Sequence, residues 1–222
     1  MSNISHWNDF LQDKKRHARY PESELVSFVF INFPKNGNIL DLYCGGGRHT
    51  KFLAENGFNT YACDVTTSGV EHTKNLLQES NLKADVQFIK AGDDLPYNDN
   101  FFDGIVCYGA LYYATKEEIE KSAYEFYRIL KNGAKAYIKV RSIQDYRYTN
   151  SIKNSKYEII INEQDNKKQA YKENGLKCYY FDKEEALRIF SKTFKNIQID
   201  RFSLSHENDT FLDDQLLITL TK

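Results

Sequence analysis

The chain has little of what stabilises disulfide-rich or membrane-spanning proteins. Its 222 residues include three prolines, one tryptophan and four cysteines, and the cysteines form no C-x-x-C pair. The five histidines show no metal-ligand spacing. No apolar run is long enough to cross a bilayer, and the N-terminus does not resemble a signal peptide. We therefore expect a soluble, cytoplasmic protein with reduced thiols, no metal site and no membrane contact.

An excess of either charge is also missing. Thirty Lys and Arg residues face 31 Asp and Glu residues, which gives a net charge of −1 at pH 7. A surface of this kind exerts no general attraction on nucleic acid or on anionic lipid. The composition therefore disfavours a nucleic-acid partner, while 41% hydrophobic residues fit one globular domain.

Alternating strand and helix patterns organise the chain into one predicted domain with four segments. Residues 1–35 form a helical cap, in which the stretch 6–20 is amphipathic. Residues 36–142 alternate strands with helices, and residues 143–180 break this rhythm and predict a substrate lid. Residues 181–222 predict a helix followed by an antiparallel edge hairpin. The fold class is α/β, a Rossmann-like three-layer sandwich around a seven-stranded, mostly parallel sheet. Its strands are expected at residues 39–42, 59–63, 86–90, 104–108, 135–140, 197–204 and 215–220.

The most informative stretch is Asn38–Thr50, in which an apolar run ends at Asp41 and soon enters three consecutive glycines. This pattern predicts a strand, a tight turn and a helix, with backbone open to a ligand. An acid beside the turn disfavours a phosphate and favours a cationic nucleoside. S-adenosylmethionine (SAM) fits that description.

Other candidate ligand contacts stand at the ends of later strands, where ligands of open α/β sheets bind. Asp64 ends the second strand, and its carboxylate can accept both ribose hydroxyls of an adenosine. Asp93 or Asp94 follows the third strand and can accept from the adenine amino group. Tyr108 ends the fourth strand and is expected beside the adenosyl and methionyl parts.

In order and spacing, these motifs resemble those of the class I SAM-dependent methyltransferases. The resemblance covers about residues 38–142 and rests on ILDLYCGGG, YACDV, DLPYNDNFFDGIVCYGALYY and YRILKNGAKAYIKV. It implies SAM as cofactor and S-adenosylhomocysteine as product, with Asp41 near the ammonium group. Tyr43 replaces the family's usual first glycine, and its side chain either shapes the methionine end of the pocket or points away. The implied cofactor-binding residues are Asp41, Tyr43, Gly45, Gly47, Asp64, Val65, Asp93, Asp94 and Tyr108.

The acceptor side carries weaker signals. A hydroxyl acceptor usually needs a general base, whereas an ionised acid oxygen needs cationic positioning. Arg141 and Arg147, after the fifth strand, are either such a clamp or surface charges. We assign acceptor positioning to Tyr20, Tyr112 and Arg141. Candidates for a base are Tyr112, Tyr113, His17 and His206.

The runs ARYPESELVSFV and RSIQDYRY are similar to those of small bacterial methyltransferases of sugar and surface-polysaccharide modification. This second resemblance implies a small-molecule or glycan-linked acceptor. The methylated atom is then an oxygen of a sugar hydroxyl or of a phosphoryl or phosphoramidate group.

Three other functions are open to the same sequence. A dinucleotide oxidoreductase is disfavoured because Thr50 stands where G-x-G-x-x-G has its third glycine. A nucleic-acid adenine methyltransferase is disfavoured because the fourth strand ends in CYGA, not in an Asn/Asp-Pro-Pro-Tyr turn. A non-catalytic SAM-binding or regulatory protein would have the same cofactor motifs without turnover.

Overall fold

The structure is a computed structural model that describes residues 2–13 and 17–222. The helices are α1 (Asn3–Phe10), α2 (Ser23–Asn32), α3 (Arg48–Glu55), α4 (Thr67–Glu79), α5 (Lys116–Ile129), α6 (Tyr146–Asn150) and α7 (Lys183–Phe190). The strands are β1 (Asn38–Leu42), β2 (Asn59–Asp64), β3 (Asp85–Phe88), β4 (Phe102–Tyr108), β5 (Leu130–Arg141), β6 (Ile152–Lys153), β7 (Glu158–Ile160), β8 (Lys177–Tyr179), β9 (Asn196–His206) and β10 (Phe211–Thr221).

The main sheet has seven strands in the order β3-β2-β1-β4-β5-β10-β9. Strands β1 to β5 pair in parallel, whereas β10 pairs antiparallel with both β5 and β9. The predicted fold class, including its antiparallel C-terminal edge, is confirmed. The strand order reverses between β1 and β4, so a crevice for ligands opens where these two strands end.

Helices cover both faces of this sheet. Leu25 and Val29 of α2 pack with Phe52 and Leu53 of α3 against one face. Residues of α5 and α7 pack against the other face in the largest core cluster. Because β1 is covered on both sides, it has apolar residues at consecutive rather than alternate positions, apart from Asp41.

Residues 143–180 contain a second, three-stranded antiparallel sheet in the order β6-β7-β8. It has its own small core, which includes Ile159, Ile161, Leu176 and Tyr180. The role of this segment as a substrate lid stays a prediction.

Two element boundaries differ from the expected ones for identifiable reasons. The first helix begins at Asn3, because the Ser2 hydroxyl caps it by accepting from the Ser5 amide at 3.1 Å. Strand β5 begins at Leu130, directly after α5, because Leu130 pairs with Phe102. Within the predicted amphipathic stretch, residues 14–16 lie outside the described residues.

Candidate functional site

The turn between β1 and α3 is built from residues with positive φ. Tyr43, Gly45 and Gly47 have φ values of 59°, 52° and 79°. A Cβ atom on Gly45 would meet nothing within 4 Å, and Gly45 lines a cavity of about 770 Å³. A Cβ atom on Gly47 would lie 2.6 Å from the Thr73 hydroxyl oxygen, so Gly47 allows α3 and α4 to approach. Gly45 thus offers open backbone to a ligand, whereas Gly47 is buried behind the turn and outside the described cavity lining.

Tyr43 takes the left-handed conformation at the position of the expected glycine. Its ring packs against the main core and also lines the cavity. Burial raises the pKa of its phenol. The structure therefore resolves the alternative left by the sequence, since this side chain forms part of the cavity wall.

Asp64 connects the glycine turn to the start of α4. One carboxylate oxygen accepts from the Gly45 amide at 2.8 Å, and the other accepts from the Thr66 amide and hydroxyl at 2.8 and 2.6 Å. The side chain is 5% exposed, and burial raises its pKa despite these hydrogen bonds. Asp64, Val65 and Thr66 all line the cavity.

Asp41 occupies a different environment from the one expected. It is 2% exposed and accepts a hydrogen bond from the Thr50 hydroxyl at 2.6 Å. Burial raises its pKa to about 7, and the charge of Asp64 adds to this effect. Asp41 does not belong to the described lining of the cavity. Its carboxylate faces α3, and its place near the cofactor's ammonium stays a prediction.

Asp93 and Asp94 also lie away from the described lining of the large cavity. Asp94 forms an exposed ion pair with Lys121 at 2.8 Å. Asp93 lines a separate space of about 20 Å³, which has room for little more than a water molecule. Near the turn after β3, the large cavity is lined instead by Ala91 and Glu118. Both aspartates are exposed in the turn after β3, and the adenine contact stays a prediction.

Tyr108 lines the cavity at the end of β4, and its hydroxyl belongs to a buried polar cluster. The hydroxyl donates to Glu24 and accepts from Lys139, and the Lys139 ammonium pairs with Glu24 at 2.7 Å. Burial raises the pKa of Tyr108, and its hydrogen bond to Glu24 adds to this shift. Tyr108 therefore presents its ring, not an available hydroxyl, to the cavity.

The three residues assigned to acceptor positioning do not meet at the cavity. Tyr20 is 79% exposed, and its carbonyl accepts from Arg48. Arg141 is buried and forms two hydrogen bonds to Glu173, at 2.7 and 2.9 Å, while its guanidinium covers the Tyr112 ring. The described lining includes none of the three positions Tyr20, Tyr112 and Arg141. The carboxylate of Glu173 occupies the Arg141 guanidinium, and the role of these three residues in acceptor positioning stays a prediction.

The other acceptor-side candidates differ in whether they line the cavity. Arg147 is buried in ion pairs with Asp145 and Asp213, so it is not a free surface cation. His206 contacts Asp213 at 3.1 Å, away from the described lining. Among the proposed bases, Tyr113 and His17 do line the cavity.

His49 also lines the cavity, from the first turn of α3. It is 6% exposed, its ring lies edge-on to Tyr108, and its Nε2 has no hydrogen-bond partner within the described residues. Burial lowers its pKa to about 3, and the charges of Arg48 and Lys139 contribute. The imidazole is therefore neutral at physiological pH. Its place two residues after the glycines is the signal in the sequence that could have found it.

The opposite walls of the cavity come from α1 and the three-stranded sheet. Trp7 and Phe10 line it from α1, and Ile159, Lys177 and Tyr179 line it from β7 and β8. No residue of α1 is fully buried, and Trp7 packs against the core of the three-stranded sheet as well as lining the cavity. No group of three or more potential metal ligands occurs within residues 2–13 and 17–222, and no helix in those ranges is long and apolar enough to cross a membrane.

Comparisons with known proteins agree with this geometry. The sequence profile of the family described as "Methyltransferase domain" matches residues 39–133. A ubiquinone biosynthesis O-methyltransferase of Rickettsia akari is 32% identical over 69 residues. That alignment covers 31% of this chain and 27% of the relative, so the chain matches only about a quarter of the relative's length.

Solved structures match over nearly the whole chain. A SAM-dependent methyltransferase from Methanosarcina mazei has a TM-score of 0.72 at 18% identity, with 91% of this chain and 98% of that chain covered. The 1,6-didemethyltoxoflavin-N1-methyltransferase of Burkholderia thailandensis, solved with S-adenosylhomocysteine, has a TM-score of 0.69 at 14% identity, covering 99% and 84%. The chain therefore has the fold of these SAM-dependent methyltransferases, and its residues 39–133 match the methyltransferase-domain family.

Proposed function

We propose that this protein transfers a methyl group from SAM to an oxygen of a small, ring-bearing acceptor. The observation that carries the proposal is the open backbone of Gly45 beside the carboxylate of Asp64, at the carboxyl ends of β1 and β2. Both border the cavity of about 770 Å³, a size typical of small-molecule sites.

The glycine-turn side of the cavity fits the cofactor. Gly45 leaves room for a ligand against its backbone, as a Cβ there would meet no atom. Asp64 is the candidate for the ribose hydroxyls, and Tyr43 and Val65 supply apolar walls beside it. When bound, SAM supplies an activated methyl group on its sulfonium sulfur. The chain's task is then to align the acceptor and exclude water.

The α1 side of the cavity fits an acceptor with a ring. Trp7 and Tyr113 contact each other edge-to-face at 4.9 Å between ring centroids, and Tyr179 lines the same region. Aromatic walls suit the apolar face of a sugar or of an aromatic ring. A phosphoryl acceptor loses support, since Arg141 is held by Glu173.

The named relatives favour small acceptors as well. The Rickettsia akari relative is named an O-methyltransferase, and the Burkholderia thailandensis structure contains 1,6-didemethyltoxoflavin. Glycan-linked sugar hydroxyls remain within the proposal, because the mouth of the cavity carries the exposed Glu158 and Lys177 beside its aromatic walls.

The test combines cofactor binding with methyl transfer. Tritiated SAM is incubated with the protein and with sugar nucleotides, phosphorylated glycans or catechols, and label in each acceptor is counted. Asp64→Ala should weaken S-adenosylhomocysteine binding by roughly tenfold or more, since hydrogen bonds to a charged group contribute about 1.5–3 kcal/mol. Asp93→Ala, the matched control, should bind normally. Equal binding by Asp64→Ala would contradict the ribose assignment, and SAM binding without transfer to any acceptor would favour a regulatory protein.

A further inference from the structure

Helix α1 crosses the mouth of the cavity with little to hold it there. Ile4, Trp7 and Phe10 line the cavity from its inner side, but none of its eight residues is fully buried. A helix this short is marginal in water without tertiary support. Its position must therefore depend on contacts at its two ends and on the aromatic contacts of Trp7.

Asn3 ties the first turn of α1 to the acceptor wall. Its side-chain amide donates to the carbonyl of Tyr113 at 2.8 Å and to the carbonyl of Lys177 at 2.7 Å. Its side-chain oxygen accepts from the Lys177 amide at 3.2 Å. The side chain thus bridges the loop after β4 and the edge strand β8.

Asn8 ties the last turn of α1 to the cofactor wall. Its side-chain oxygen accepts from the Thr67 hydroxyl at 3.0 Å, the Ser68 hydroxyl at 2.8 Å and the Ser68 amide at 3.2 Å. These donors lie in the first turn of α4, directly after Asp64 and Thr66. Asn3 and Asn8 therefore fasten the helix to opposite sides of the cavity.

We propose that α1 is a strap whose opening admits the cofactor and releases the product nucleoside, with Asn3 and Asn8 as its two latches. The inference rests on the proposed function for the identity of the ligand. The latch itself is a property of the ligand-free protein. The two latches also differ chemically, because Asn3 acts mainly as a donor to carbonyls whereas Asn8 accepts in all three of its hydrogen bonds to the start of α4.

This difference gives a sharp test with conservative variants. Asn8→Asp keeps the accepting oxygen and places a negative charge at the start of α4, where it is favourable, so the strap should stay closed. Asn3→Asp removes both donors and sets a carboxylate against two carbonyls, so the strap should open. Asn8→Ala and Asn3→Ala should both open it. The control is Asn166→Ala, because Asn166 is exposed and lies far along the chain in a turn.

Trp7 is the single tryptophan of the chain and lies on the strap, so its fluorescence reports opening. Acrylamide should quench Trp7 more strongly in the three opened variants than in the parent, Asn8→Asp and Asn166→Ala. In stopped-flow chase experiments, S-adenosylhomocysteine should be released about tenfold faster from the opened variants, which corresponds to 1.4 kcal/mol. Association should accelerate too, so the Kd should change less than either rate.

Two outcomes would separate the latch from the proposed function. Quenching that is equal in all variants, with unchanged circular dichroism, would overturn the latch. Absence of S-adenosylhomocysteine binding in every protein would overturn the proposed function, while the quenching series would still decide whether Asn3 and Asn8 hold the strap.

Discussion

Removing the carboxylate of Glu173 should destabilise the protein far more than removing an exposed one. Glu173 receives two hydrogen bonds from Arg141 and one from the Tyr113 hydroxyl at 2.9 Å, and the Arg141 and Glu173 side chains are 6% and 7% exposed. Burial alone would raise the pKa of Glu173, but the Arg141 charge holds it below its usual range. Glu173→Ala therefore leaves a buried guanidinium without its counter-charge.

The expected cost is about 3–5 kcal/mol, the range for breaking one side of a buried ion pair. For a chain of this size each kcal/mol lowers the Tm by roughly 2–4 °C, so the Tm should fall by about 6–20 °C. The assay is calorimetric or urea unfolding at pH 7, with Glu71→Ala as control because Glu71 is an exposed helix residue. Glu173→Leu combined with Arg141→Met should recover much of the loss.

The same pair has a defined pH dependence. Because the pKa of folded Glu173 is below the ordinary 4.5, its stabilisation is present above pH 4.5 and is lost as the pH falls through the folded-state pKa. Glu173→Ala should therefore lose less stability on acidification than the parent. The reasoning would be refuted if Glu173→Ala unfolded at the same temperature as Glu71→Ala. If Arg141→Met lost acceptor binding alone, that result would instead support the clamp predicted from the sequence.

Three further predictions concern the glycine turn and the groups beneath it. Gly47→Ala should lower the free energy of unfolding by at least about 2 kcal/mol more than Gly133→Ala does. Both positions have φ of +79°, but only at Gly47 would the new Cβ atom clash with Thr73. Equal urea midpoints for the two variants would contradict this. Because the pKa of His49 is lowered in the folded protein, the free energy of unfolding should fall as the pH drops below 6.5, by about 2 kcal/mol at pH 5. His49→Phe should remove that loss, which urea titrations at about pH 7.5 and 5 would measure. The pKa of Asp41 is raised, so its effect on stability has the opposite sign: the free energy of unfolding should fall as the pH rises from about 4 to 7. Relative to the parent, Asp41→Asn should therefore be more stable at about pH 8 than at pH 4.

The sheet was predictable because its signals are local. Apolar runs that end in acids and glycines mark the carboxyl ends of β1 and β2, and the late strand patterns mark the antiparallel edge. The turn around Gly45 and the position of Asp64 followed from the same runs. Even the helix cap at Asp182, which accepts from the Glu185 amide at 2.8 Å, is a local pattern.

Side-chain partners that are distant in sequence could not be predicted. Arg141 follows a strand like a ligand-binding residue, but Glu173, 32 positions later, holds its guanidinium. Asp41 lies one residue before the end of β1 and Asp64 ends β2, yet the Asp41 side chain faces α3 while that of Asp64 borders the cavity. Successive side chains of a strand point to opposite faces of the sheet. Which face packs against a given helix depends on tertiary contacts, and a local sequence pattern does not contain them. The roles of Asn3 and Asn8 were invisible for the same reason.

The most direct test of the account is calorimetric titration of the purified, ligand-stripped protein with SAM, S-adenosylhomocysteine and NAD⁺. We expect micromolar binding of both sulfur nucleosides and no heat from NAD⁺, because Thr50 stands where the dinucleotide-binding motif has its third glycine. Binding of NAD⁺, or no binding of either sulfur nucleoside, would contradict the central claim.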